Sequence, residues 1–208
     1  MKEIAQIRKL SLWIFFIPLI AINLCLFISI NFSIFENTFF QVDQIGRTNF
    51  SIPYLDGSLS ISRSARTFPQ YLIFKPAMFL TGTLLIYYWT YNNSLIKKMN
   101  KEENITYKFK LFGILSAIFL IIHSILLGVK FDIQIYKLFR RVVLLAFIIF
   151  EIIAQGLLVY NFLKLRKDIK KLSNNFVLKL KVILVSALVI VAIALSLIHI
   201  SEPTRLGM

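Results

Sequence analysis

The chain alternates long apolar blocks with short polar segments that carry most of its charged residues. Five of these blocks are predicted to form membrane-spanning helices, because about 18 consecutive apolar residues suffice to cross the hydrocarbon core of a bilayer. The predicted spans cover residues 11–30, 70–91, 109–129, 142–163 and 176 to the end. The pattern therefore predicts an all-α, polytopic bundle of transmembrane helices that forms a single domain over residues 1–194.

Composition and charge agree with a membrane environment. The chain is 58% hydrophobic and only 16% charged, where a soluble domain carries about 25% charged residues. The net charge of +14 would favour nucleic-acid binding in a soluble protein. Here the basic residues flank the spans, where they meet anionic headgroups. We therefore expect membrane lipids as partners and no nucleic acid. The single Cys25 rules out an intrachain disulfide, and neither a metal nor a cofactor is predicted.

The distribution of basic residues predicts the orientation. With a cytoplasmic N-terminus, fifteen Lys and Arg residues fall on the cytoplasmic side and eight on the outer side, as the positive-inside rule requires. The polar segment 31–69 then forms a long outer loop. An interfacial aromatic belt at the cytoplasmic face is predicted near the end of the second span, formed by Tyr87, Tyr88, Trp89 and Tyr91. The expected location is the plasma or inner membrane of a prokaryote, or the plasma membrane or an endomembrane of a eukaryote.

The end of the chain carries a distinctive sequence. Leu195–Arg205 reads LSLIHISEPTR, which resembles the conceptual translation of a transposase adapter used in preparing sequencing libraries. This resemblance implies that native sequence ends near Ala194 and that residues 195–208 are a non-native tail. His199 is then given no functional role. We also expect the fifth span to be cut short, and the natural protein to be longer than this chain.

The junction between the outer loop and the second span carries the most distinctive pattern. It combines a short Ile-Ser element, a proline and an aromatic residue that enters the helix: Ser60, Ile61, Ser62, Pro69 and Phe74. The junction resembles the first outer loop of a six-span family that includes the damage-regulated autophagy modulators, the FGF-receptor-activating protein and the post-GPI-attachment remodelling factor. The resemblance implies a cytoplasmic N-terminus, a long first outer loop and a sixth span. Several family members carry an acidic residue soon after the motif serine, where this chain has Arg63.

Basic residues at the outer ends of the spans are candidates for binding lipid headgroups. Arginine suits phosphate because its guanidinium group donates hydrogen bonds in a bidentate geometry. The predicted outer rim consists of Arg63, Arg66, Lys75, Arg140 and Arg141. An alternative for Lys75 is that its side chain only extends outward to the headgroup level.

Three polar residues within the spans form a second candidate site. Ionisable groups at bilayer depth are costly and often functional. Glu151 and Gln155 are four residues apart and so share one helix face, and His123 is expected at a similar depth in the third span. The hypothesis is a polar site between the third and fourth spans that holds a headgroup or a proton. The alternative is that Glu151 is hydrogen-bonded and only holds helices together.

These features favour a multi-pass protein that interacts with lipids, and that remodels or regulates membrane lipids or lipid-anchored proteins without catalysis of its own. One alternative is a transporter or channel subunit. Another is an intramembrane lipid hydrolase or acyltransferase, for which Ser124, His123 and Glu151 are the conceivable residues. Because adjacent residues on a helix point apart, no catalytic residue is assigned.

Overall fold

The computed structural model describes residues 2–35, 38, 54, 61–99, 107–127, 134–165 and 175–201. All regular structure in these ranges is helical. A short 3₁₀ helix, Phe32–Phe35, follows the first α-helix. The α-helices are α1 (Lys2–Ile30), α2 (Ile61–Ser64), α3 (Tyr71–Met99), α4 (Lys108–Leu126), α5 (Gln134–Lys164) and α6 (Asn175–Ser201).

Four helices within the described ranges are long and apolar enough to cross a membrane: Lys2–Ile30, Tyr71–Met99, Lys108–Leu126 and Leu138–Lys164. The prediction of an all-α, polytopic membrane bundle is therefore confirmed. A fifth and a sixth span stay predictions. Ser60, most of the outer loop and residues 202–208 lie outside the described residues.

Consecutive long helices pack against one another along the chain. Helix α1 contacts α3, α3 contacts α4, α4 contacts α5, and α5 contacts α6. At the end of the bundle where α1 begins, Lys98 of α3 forms an ion pair with Glu3. At the opposite end, the Tyr136 hydroxyl donates to the carbonyl oxygen of Leu126 at 2.6 Å. That bond satisfies an acceptor that the end of α4 would otherwise leave unpaired.

Small residues bring α3 and α4 into close contact. The ring of Trp89 lies directly over Gly113, so closely that a Cβ atom at position 113 would overlap the indole. Further along the same interface, a Cβ at Gly82 would lie 2.6 Å from Cγ1 of Ile121. Apolar side chains gain little from leaving lipid, so membrane helices associate through such close packing.

Two residues expected in an interfacial aromatic belt lie in the core instead. Trp89 is 0% exposed and Tyr88 is 8% exposed. The reason is the length of α3, which continues to Met99, well beyond the predicted end of the second span. The helix therefore carries these rings inside the bundle, where Trp89 packs against Phe109 and Gly113 of α4. The hydroxyl of Tyr88 instead lies near Lys181 of α6. The helix of the fourth span also begins earlier than predicted. Arg140 and Arg141 precede the predicted span 142–163, but in the structure they lie within α5.

Candidate functional site

A buried polar cluster fastens α2 and the residues after it to α1. The hydroxyl oxygens of Ser29 and Ser64 lie 2.6 Å apart, and Ser64 Oγ donates to the carbonyl oxygen of Cys25 at 2.8 Å. The side-chain amide of Gln70 lies 3.0 Å from Ser29 Oγ. Because all four residues are buried, these bonds fix the position of the segment that carries Arg66.

A cavity of about 730 Å³ lies between α1, α2, α3, α4 and α5. Most of its wall is apolar, and a smaller number of polar and charged residues complete it. The lining residues are Ile14, Pro18, Ile22, Ile61, Ser62, Ala65, Arg66, Phe74, Met78, Thr81, Leu85, Leu120, His123, Leu127, Arg140, Arg141, Leu144, Phe147 and Glu151.

Three arginines are among the residues that line the cavity, one in the segment after α2 and two in the first turns of α5; we call this group, formed by Arg66, Arg140 and Arg141, the arginine end. The Nε–H of Arg66 donates to the carbonyl oxygen of Ser62 at 2.6 Å. Burial, together with the positive charges of Arg140 and Arg63, lowers the pKa of Arg66. Arg66 and Arg140 are therefore close enough to repel each other, and an anion between them would relieve that repulsion.

Glu151 lies at the other end of the cavity. Ten residues of α5 separate it from Arg141, which corresponds to about 15 Å along the helix axis. This length is about half of the ~30 Å thickness of a hydrocarbon core. Between its two polar ends the walls are formed mainly by aliphatic and aromatic side chains, such as those of Met78 and Phe147. This arrangement suits a molecule with an anionic head and an apolar chain.

The carboxyl group of Glu151 is held by two hydrogen bonds. Ser116 Oγ donates to Oε2 at 2.6 Å, and Gln155 Nε2 donates to Oε1 at 2.9 Å. Lys181 of α6 lies near enough to interact electrostatically with the carboxyl. Its ammonium group also lies 3.4 Å from the hydroxyl oxygen of Tyr88. Glu151 therefore bonds from α5 to α4 through Ser116 and lies within electrostatic range of α6. The interpretation that it holds helices together stays a prediction.

His123 lines the cavity, and its Nδ1 atom is buried without a hydrogen-bond partner among the described residues. Neighbouring Ser124 points to a different helix, where its Oγ donates to the carbonyl oxygen of Lys75 at 3.1 Å. Since Glu151 is bonded to Ser116 and Gln155, the described geometry does not assemble Ser124, His123 and Glu151 as a catalytic set. Within the described ranges, no three His, Cys, Asp or Glu side chains lie together as a metal site.

The predicted site residues thus fall into two groups. Five of them line one cavity, namely Arg66, His123, Arg140, Arg141 and Glu151, together with the junction residues Ile61, Ser62 and Phe74. Lys75 lies elsewhere: its Nζ is 3.5 Å from the carbonyl oxygen of Ile125 and 5.6 Å from the centre of the Tyr71 ring. Arg63 and Pro69 are also outside the set of described residues that line the cavity.

Several residues that shape the site are not predicted by the sequence. Ser116 lies between apolar neighbours in the sequence, whereas Ser64 lies in a polar segment beside Arg63; both are 0% exposed. The position of Ser116 is a signal that a buried hydrogen bond forms there, and no such signal marks Ser64. The sequence alone does not identify the partners, because Ser116 and Glu151 are 35 residues apart.

No family model, curated protein or solved structure matches the chain. The resemblance to the six-span family therefore stays a prediction. The four apolar helices define the class, since they are those of a multi-pass integral membrane protein.

Proposed function

We propose that this membrane protein binds a lipid with an anionic headgroup in the cavity between α1 and α5. The headgroup lies among the three arginines, and the acyl chain extends along the apolar walls toward Glu151. In this function the protein presents the lipid, sequesters it or regulates lipid-anchored proteins, and it does not itself catalyse a reaction of the lipid.

The observation that carries the proposal is the convergence of Arg66 with Arg140 and Arg141 on one apolar cavity. These cations come from segments more than 70 positions apart, and the buried cluster around Ser29 and Ser64 holds the first of them in place. Arginine is the side chain best suited to phosphate. Basic pockets between membrane helices bind anionic headgroups in general.

Native mass spectrometry of the full chain in mild detergent tests the proposal. The wild-type protein is expected to retain an added anionic phospholipid at one molecule per chain. The double change Arg66→Gln and Arg140→Gln is expected to lose most of that retention. Lys97→Gln is the matched control, because it also removes a basic side chain but lies far from the arginine end. Lys97 is in the last turn of α3, over the Tyr107 ring. Equal retention by all three proteins would refute the proposal.

The position of Glu151 favours a second candidate, a transporter or channel subunit. Intramembrane carboxyl groups that line a cavity often serve ion or proton pathways. Glu151 is such a group, and Lys181 lies within electrostatic range of it. Flux of an ion or solute into liposomes that was abolished by Glu151→Gln would favour this candidate over lipid binding alone.

A further inference from the structure

We infer that the arginine end selects a phosphomonoester headgroup, as in a phosphatidate-type lipid, over the phosphodiester headgroups of other anionic lipids. This inference rests on the proposed function and specifies its ligand class. It follows from the charge and the hydrogen-bonding capacity of the cavity's end.

The first argument is charge. Arg66, Arg140 and Arg141 bring three positive charges to the lining of the cavity, and Arg66 and Arg140 lie within electrostatic range of each other. Among the described residues that line the cavity, the single carboxyl group is that of Glu151. It is about 15 Å away along α5, and its oxygens already accept bonds from Ser116 and Gln155. A phosphomonoester carries about 1.5 to 2 negative charges at neutral pH, whereas a phosphodiester carries one.

The second argument is the number of available donors. A guanidinium group has five N–H donors, and Arg66 uses only its Nε–H, for Ser62. The side chains of Arg140 and Arg141 make no hydrogen bond or ion pair with another described residue. A phosphomonoester offers three terminal oxygens to these donors. A phosphodiester offers two such oxygens, because its third is esterified.

The two arguments together favour the headgroup with more charge and more acceptors.

The test compares lipids that share acyl chains and differ only at the phosphate. The full chain in detergent is titrated by native mass spectrometry with phosphatidate, with phosphatidylmethanol, whose single methyl group makes it the smallest phosphodiester, and with phosphatidylcholine. We expect phosphatidate to bind at least tenfold more tightly than phosphatidylmethanol. Arg140→Gln should reduce that ratio, whereas Lys97→Gln should leave it unchanged.

Each outcome decides a different point. Equal affinity for phosphatidate and phosphatidylmethanol, with both above phosphatidylcholine, overturns the phosphomonoester inference and leaves the proposed function intact. Equal affinity for all three lipids overturns both. Inorganic phosphate and glycerol phosphate are included as competitors; if either displaces phosphatidate at comparable concentration, the site binds free phosphate and the lipid assignment is wrong. Because the comparison of lipids on the wild-type protein is decisive, the inference stays testable even if a variant fails to fold.

Discussion

Ser116 Oγ of α4 donates a 2.6 Å hydrogen bond to the Glu151 carboxyl of α5. This bond joins two neighbouring spans at the inner end of the cavity, where Ser116 is fully buried. We expect Ser116→Ala to destabilise the bundle by about 1 kcal/mol, which is within the range for hydrogen bonds between membrane helices. The free energy of unfolding in mixed micelles measures the effect. The control is Thr90→Ala, because Thr90 is exposed and bonds within its own helix; equal losses in both variants would show that the bond between the helices contributes nothing.

The contact between Trp89 and Gly113 predicts a loss of stability when a single methyl group is added. In Gly113→Ala the new Cβ would overlap the indole ring, which is itself fully buried. Overpacking of this kind costs about 1–3 kcal/mol, so the unfolding free energy should fall by that amount. Gly156→Ala is the matched control, because its Cβ would meet nothing within 4 Å. If Gly113→Ala were as stable as Gly156→Ala, the described packing of α3 on α4 would be wrong.

The cluster around Ser64 predicts a change in thiol reactivity. Cys25 is the only cysteine in the chain and is 2% exposed, so its labelling by a membrane-permeant maleimide reports on local opening. Ser64→Val removes the hydrogen bonds to Cys25 and Ser29. Each 1 kcal/mol lost should accelerate labelling on the order of fivefold. Ser62→Ala, at an exposed neighbouring position, should leave the rate unchanged; acceleration in both variants would argue against the cluster.

Lys75 and Arg140 should behave differently, although the sequence predicts both in one headgroup-binding rim. The ammonium group of Lys75, a residue of α3, lies beside the carboxyl end of α4, near the carbonyl oxygen of Ile125. A cation at that position stabilises α4 by about 0.3–1 kcal/mol. Lys75→Gln should therefore lower stability slightly and preserve lipid retention. Arg140→Gln should reduce retention with little effect on stability. The reverse pattern would mean that the headgroup binds beside Lys75 and not in the cavity.

The sequence is sufficient to predict the helical bundle but not its interior. Long apolar blocks determine which segments span a membrane. They do not reveal which face meets lipid and which meets another helix, because both faces are apolar in a membrane. For this reason the pattern predicts Trp89 at the interface, although it packs on Gly113 in the core. Arg66 and Arg140 are each predicted as site residues, yet their meeting at one cavity depends on how α2 docks on α1.

The most direct measurement of the central claim is photocrosslinking with a phosphatidate that carries a diazirine in its acyl chain. Phe147 lines the cavity, whereas its neighbour Ile148 is 40% exposed on the outside of the bundle. Lipid bound in the cavity should crosslink to Phe147 and Met78, and Arg66→Gln with Arg140→Gln should abolish those products. Crosslinks confined to Ile148 and other outward-facing residues would contradict the account, because they would show that lipid only surrounds the protein.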